Sequence, residues 1–281
     1  MNKQCPVCRQ RNGERNFSAY ESHGRFQKSG GKRFQYYKCT NCGSLFHAEK
    51  ITNNFYKAYY PEQYYDDEPS GLSKVLTQFS NYKKRKLVES SSKDRQLSIL
   101  DVGCGNGLFL KSLPNRYKKH GVEIDRKAAS VAQASGAEIF VGDFTNMQIS
   151  KKFDVIVSWH VIEHIVNPNA FMKKVSELLK PEGTFLCSTP NAHCLGMHFG
   201  KTDWFHLDAP RHITLFNKRS LKLIAENNGL VCERIISNYW EFPLDTFWSL
   251  KSTLLSIPMI LMYPFMKRAD EECITIICRK K

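Results

Sequence analysis

From residue 97 onward the chain alternates short apolar runs with helix-period stretches, and this alternation restricts its fold more than any other feature. "LSILDV" reads as a strand and "GLFLKSL" opens a helix. "KHGVEI", "AEIFVG", "FDVIVSW" and "GTFLCST" read as further strands, with "DRKAASVAQASG" and "NAFMKKVSELL" as helices among them. Strands separated by helices imply parallel crossovers, so the expectation is an open α/β sheet. The helix "SLKLIAENNGL" then leads to the strand "VCERIIS" and a last strand "CITIICRK", expected to be antiparallel. In such sheets ligands collect at the carboxyl ends of the strands.

The first of these ends is "ILDVGCGNGLFL", residues 99–110. Gly103, Gly105 and Gly107 are spaced G-x-G-x-G, whereas the dinucleotide fingerprint needs a third small residue where Leu108 stands. Asp101, just before the glycines, would repel a pyrophosphate and favour a cationic ligand. Glu123 closes the second strand, where a carboxylate can accept from both ribose hydroxyls. Asp143 and Phe144 close the third, placed to accept from an adenine amino group and to lie against its ring. An adenosine with a positively charged tail and no phosphates describes S-adenosylmethionine.

With "LDVGCGNG", "GVEID", "VGDF", "FDVIVSWHVIEHI", "LLKPEGTFLCSTPN" and "PRHITLFNKRSLKLIAENNGL", residues 97–281 resemble class I S-adenosylmethionine-dependent methyltransferases. The resemblance implies a Rossmann-like sheet with an antiparallel last strand. It implies that Asp101, Gly103, Gly105 and Gly107 cradle the methionine part, that Glu123 takes the ribose, and that Asp143 takes the adenine. It extends to ubiquinone-biosynthesis enzymes and to members with an N-terminal zinc ribbon, which often act on sugars, glycans or other small metabolites.

Residues 1–50 form a separate expected module. Cys5 and Cys8 make one C-x-x-C turn and Cys39 and Cys42 another, a set suited to one closed, structural zinc. "RFQYYK" reads as a strand leading into the second turn. The chain carries a net charge of +14, and this basic module supplies half of it, which is compatible with an anionic partner or with plain solubility. Residues 51–96 read as a tyrosine-rich joint ending in a helix whose Lys83–Lys86 run is expected to face solvent. Paired rather than framework cysteines, and a start without an apolar h-region, lead to the expectation of a cytoplasmic protein.

Methyl transfer to a hydroxyl needs a base, and two histidine clusters qualify. In "HVIEH", His160 follows the fourth strand with Glu163 and His164 close behind. The resembling ubiquinone-biosynthesis enzymes carry E-x-x-E-H there around a divalent metal. His160 replaces the first glutamate, so whether His160, Glu163 and His164 hold a divalent metal stays open, and His160 alone is a base candidate. In "WFHLDAPRHITLF", His212 is the preferred base, with Arg211 and Trp204 as candidate substrate contacts and His206, His193 and His198 ranked below. "STPN" at 188–191 is read as a pocket-shaping turn, and residues 243–268 as an apolar lid, a dimer contact or a membrane-interface segment.

The expected activity is S-adenosylmethionine-dependent methylation of a small-molecule, sugar or glycan acceptor, at oxygen before carbon. Two alternatives stay open: an RNA methyltransferase gripping RNA through the basic ribbon, and a non-catalytic cofactor sensor.

Overall fold

The computed structural model describes residues 2–23, 26–27, 31–52, 55, 58–59, 70–91, 96–237 and 272–281. Residues 243–268 and most of the tyrosine-rich stretch lie outside the described residues.

Near the N-terminus β1 (Gly13–Tyr20) is followed by a short hairpin of β2 (Ser22–His23) and β3 (Phe26–Gln27), then β4 (Arg33–Cys39) and β5 (Leu45–His47). β1, β4 and β5 pair antiparallel. Phe34 and Tyr36 alternate with Arg33 and Gln35 along β4, and only the aromatic pair is fully buried. The joint contributes helix α1 (Gly71–Ser91).

The larger sheet begins with β6 (Ser98–Val102), α2 (Leu108–Ser112), β7 (Lys118–Glu123), α3 (Arg126–Gln133) and β8 (Glu138–Val141). It continues through β9 (Phe153–Trp159), α4 (Pro168–Leu178) and β10 (Leu179–Pro190). After α5 (Leu195–Gly200) come β11 (Thr214–Leu215), α6 (Lys218–Asn227), β12 (Leu230–Ser237) and β13 (Cys273–Lys280). Strand order is β12-β13-β10-β9-β6-β7-β8, with β13 antiparallel to both neighbours and the pairs from β10 to β8 parallel. The Rossmann-like sheet with an antiparallel last strand is therefore as expected. "STPN" differs: Ser188 and Thr189 are buried members of β10 and form no turn, because their register with β13 runs on to Pro190.

Local signals fix the helices. Asn167 caps α4 by accepting from Ala170 N with Pro168 next in the chain, and Asp125 caps α3 through Ala128 N. α4 turns Phe171, Met172 and Val175 onto the sheet against Phe185, each such burial being worth about 1.5–3 kcal/mol. The strand order reverses beside β6, so the loops after β6 and β9 flank the crevice where such sheets bind ligands. Among the described residues no helix is long and apolar enough to cross a membrane.

Candidate active site

The loop after β6 has the backbone its glycines permit. Gly103 sits at φ +76°, and a Cβ there would collide with Val161 Cγ2. Gly107 is also left-handed, and a Cβ on it would meet Ala132 Cα at 2.9 Å. The loop is thus pressed between the turn after β9 and helix α3, with no room for a side chain at Gly103 or Gly107.

Asp101 lies beneath the loop, 2% exposed, and its Oδ1 has no hydrogen-bond partner. Burial raises its carboxyl to about 7, against the pull of Lys84. A buried acceptor without a donor, beside a cradle stripped of side chains, fits the ammonium and sulfonium of S-adenosylmethionine. Lys84 lies over the Trp159 ring at 5.1 Å, so one member of the run expected to face solvent faces the crevice.

Glu123 is 3% exposed and mainly organises backbone. Its Oε2 accepts from Gly105 N at 2.9 Å, and its Oε1 from Ile124 N at 2.8 Å and Asp125 N at 2.9 Å. About four acceptor positions exist on a carboxylate, so in this arrangement one remains for a ribose hydroxyl instead of the two expected. Asp143 is exposed and spends its oxygens on Thr145 N and Asn146 Nδ2, closing a turn. Phe144 is 4% exposed, edge-on to Phe171 at 5.3 Å and capped on one face by Lys174 at 5.3 Å, so its ring packs with the core beside α4.

At the end of β9 the chain turns sharply, with His160 at φ +58° and its N–H bonded to Ser188 O. Glu163 behind it is fully buried, accepts from Thr189 Oγ1 at 3.0 Å, and has His160 Nδ1 3.5 Å from its other oxygen. Burial alone would raise this carboxyl, but His160, His164 and His212 together hold it at about 2. His212, from the loop before β11, joins this group. Oxygen and nitrogen atoms of Glu163, His164 and His212 lie within 4.8 Å of one another.

Both imidazoles are oriented by backbone. His212 Nδ1 lies 2.7 Å from His206 O, and His164 Nδ1 lies 3.0 Å from Arg211 O. A carbonyl only accepts, so each Nδ1 carries the proton and Nε2 is the acceptor nitrogen in the neutral ring. Burial and the neighbouring His164 lower His212 to about 4. This is the arrangement that metal-binding histidines adopt, with the second nitrogen donating to a carbonyl. In the sequence, His160 in place of a glutamate argues against a metal, and nothing there signals that His212 completes the set.

Two expected substrate contacts are consumed elsewhere. Trp204 is buried and donates Nε1–H to Glu272 Oε2 at 2.6 Å, while Glu272 Oε1 accepts from Gly196 N. Arg211 is buried in an ion pair with Asp208, whose carboxylate also lies 3.7 Å from His212 Nε2. His206 is buried too, whereas His193 and His198 are exposed.

In the N-terminal module all four Sγ atoms of Cys5, Cys8, Cys39 and Cys42 lie within 4.8 Å of one another. Cys5 and Cys42 sulfurs are 3.7 Å apart, and those of Cys8 and Cys39 3.5 Å. Thiolates placed tetrahedrally at about 2.3 Å from zinc would be separated by about 3.8 Å, so the geometry fits that ion.

Residues 69–235 match a family described as a methyltransferase domain. A ubiquinone biosynthesis O-methyltransferase from Maricaulis maris is 34% identical over 105 residues, which are 34% of this chain and 41% of that protein. Another from Pelagibacter ubique is 24% identical over 216 residues, covering 66% of this chain and 89% of its own length. The chain therefore spans less than half of the first relative and most of the second. Among solved structures, magnesium protoporphyrin IX methyltransferase from Synechocystis with bound SAH superposes with a TM-score of 0.53 at 15% identity, over 80% of this chain and 94% of that one. A SAM-dependent methyltransferase from Thermotoga maritima gives 0.51 at 15% identity, over 74% and 92%. At these identities the likeness is one of fold.

Proposed function

The chain belongs to the methyltransferase-domain family and is an S-adenosylmethionine-dependent methyltransferase, and on that premise we propose that it methylates a hydroxyl oxygen of a small-molecule acceptor. The observation that carries the oxygen chemistry is the convergence of Glu163, His164 and His212 beside the glycine loop. Val161, one residue after His160, packs directly on Gly103, so the cluster adjoins the donor cradle.

In this reading the glycine loop and Asp101 hold the donor's methionine part, Glu123 contacts the ribose, and Asp143 contacts the adenine. Glu163, His164 and His212 would hold a divalent cation, which when bound lowers the pKa of a coordinated hydroxyl. His212 and His164 contribute Nε2 lone pairs in orientations fixed by His206 O and Arg211 O. Glu163 remains ionised, and Thr189 holds one of its oxygens. His160, at the mouth of the β9 turn, is the candidate base for the acceptor proton.

The acceptor class follows the ubiquinone-biosynthesis relatives first, with sugar or glycan hydroxyls next. The four-cysteine module would bind a structural zinc. Its turns are bonded inward, Asn169 Nδ2 donating to Pro6 O and Val7 O, and Asn217 Nδ2 to Cys42 O. That supports a bracing role for the basic module over an RNA grip.

The test is release of S-adenosylhomocysteine with a panel of phenolic, sugar and RNA acceptors. Turnover on hydroxylated small molecules, lost in His212→Ala with donor binding retained, is the expected result. Turnover on RNA alone, or no binding of the donor at millimolar concentration, would refute the proposal.

A further inference from the structure

We infer that Tyr36 and His47 of the N-terminal module are positioning residues for the loop that carries His212, so that the module is a structural half of the acceptor site. The inference rests on the role given to His212 above and goes beyond it.

The loop from Phe205 to Ile213 has one short 3-10 turn and enters no sheet until β11. Its support comes from residues far away in the chain. β5 pairs with β11, Phe46 opposite Thr214 and Leu45 opposite Leu215, so the module's sheet ends on a strand from the catalytic half. His47 N–H donates to Ile213 O at 3.2 Å, and His47 Nε2–H donates to Pro210 O at 2.8 Å. Tyr36 OH donates to His212 O at 3.2 Å. Ser22 adds a reciprocal pair with Ala209, its N–H to Ala209 O and its Oγ from Ala209 N, both at 2.8 Å.

The ring of His47 is committed on both sides. Nε2 must carry the proton because Pro210 O only accepts, and Nδ1 accepts from Glu49 N at 3.3 Å. The ring is 3% exposed, edge-on to Tyr36 at 5.7 Å and stacked on Phe55 at 6.3 Å. Such an imidazole has no nitrogen left for substrate or proton transfer and acts as a strut. The fully buried Tyr36, stacked on Phe17 at 5.1 Å, is placed in the same way.

On its other side the loop meets the β9 turn, where Ile213 N donates to Glu163 O and His164 Nδ1 to Arg211 O. The carbonyls of Pro210, His212 and Ile213 are thus fixed from the module while Arg211 O and Ile213 N are fixed from the catalytic turn. A site works only when its groups are held to a fraction of an ångström by their supports. The bonds from Ile213 N to Glu163 O and from His164 Nδ1 to Arg211 O hold the loop to the catalytic turn on one side only, and the struts hold it from the other, so that His212 is fixed between the two.

The test uses the full chain and needs no acceptor. Hydrogen exchange and imidazole NMR are compared in wild type, Tyr36→Phe, His47→Ala and His47→Gln, with His212→Ala identifying the His212 Nδ1–H signal. Tyr36→Phe and His47→Ala are expected to speed exchange across residues 206–215 at least tenfold and to broaden that signal. Residues 98–102 and 153–159 should keep their protection. His47→Gln, whose amide can donate to Pro210 O, should recover most of both readouts. Unchanged exchange and an unchanged signal in both variants would overturn the inference. So would equal acceleration in the sheet strands, which would mean general destabilisation. Neither readout depends on turnover, so failure of the catalytic role of His212 in the acceptor screen is a separate result.

Discussion

The imidazole of His212 stands edge-on to that of His164, their centroids 4.6 Å apart, although the two residues come from different loops. Both rings give their Nδ1 protons to backbone carbonyls, and Glu163 lies ionised beside them. Two like-charged imidazoliums would repel at this distance, and the proposed shared cation would bring the two rings and the carboxylate together without that repulsion. Adding manganese in excess over a bound fraction should raise the melting temperature, a hundredfold excess over Kd corresponding to about 2.7 kcal/mol. The shift should vanish in His164→Ala and in His212→Ala. A shift of equal size in both variants would place the ion elsewhere.

Asp101 is expected to make donor binding depend on pH. Burial raises its carboxyl to about 7, so it is largely protonated in the folded protein at pH 6 and ionised at pH 8. A raised carboxyl means the native state holds its proton more tightly than the unfolded chain does. Its contribution to stability is therefore greatest at low pH and declines as pH rises from the ordinary carboxylate range through 7. A cationic donor reverses the preference, because it favours the ionised form. Affinity for S-adenosylmethionine measured by calorimetry should tighten from pH 6 to pH 8, and Asp101→Asn should flatten that dependence.

Elements set by local chemistry were legible in the sequence. β9 runs from Phe153 to Trp159 and β13 from Cys273 to Lys280, as the apolar runs indicate, because strands buried in the middle of a sheet, parallel like β9 or antiparallel like β13, are marked by their own apolar composition. The C-x-x-C turns and the glycine loop were equally readable, since each is specified within a few residues. What escaped reading depends on partners far along the chain. Trp204 looks like a substrate contact until Glu272, distant in the chain, takes it, and that acid carries no local signal of burial. Phe144 follows the acid of a ligand-binding strand end, yet α4 supplies Phe171 to cover it. His212 lies beside Glu163 through bonds between distant segments, Ile213 N to Glu163 O and His164 Nδ1 to Arg211 O, with β5 pairing on β11 alongside, and no periodicity reveals them.

Glu123 separates donor contact from loop architecture. Three partly buried backbone N–H groups lose their acceptor in Glu123→Ala, and because water can reach them in part the cost falls at or below the lower end of the range of about 1–3 kcal/mol for a buried unsatisfied group. Glu123→Gln keeps one carbonyl oxygen for these donors. Chemical denaturation should rank stability as wild type, then Gln, then Ala, and donor affinity should fall in both variants. An Ala variant with wild-type stability would contradict the structural role of this carboxylate.

Gly103 tests the packing of the cradle against the β9 turn. Gly103→Ala forces a left-handed alanine and brings its Cβ against Val161, a strain of about 1–3 kcal/mol at such positions. Donor affinity should drop at least tenfold. Val161→Ala in the same chain removes the clash and leaves the backbone strain, so it should recover part of the loss. Full recovery would mean that the left-handed backbone is unimportant, and no recovery would mean that Val161 yields without cost.

Phe144 distinguishes a core ring from a base-stacking ring. Its edge-on contact with Phe171 and its burial place it under α4, where deleting a phenyl group typically costs about 3–5 kcal/mol. Phe144→Leu retains most of that volume and should lose less, roughly 1 kcal/mol. The ring's packing beside α4 leads to the expectation that neither change disturbs contact with a bound adenine. In Phe144→Leu, held well below its melting point, affinity for S-adenosylmethionine should stay within about twofold of wild type, a difference of about 0.4 kcal/mol. A tenfold loss with stability preserved would return the ring to the adenine site. It would also require α4 to move away from the sheet on donor binding, because Phe171 occupies that side of the ring in this structure.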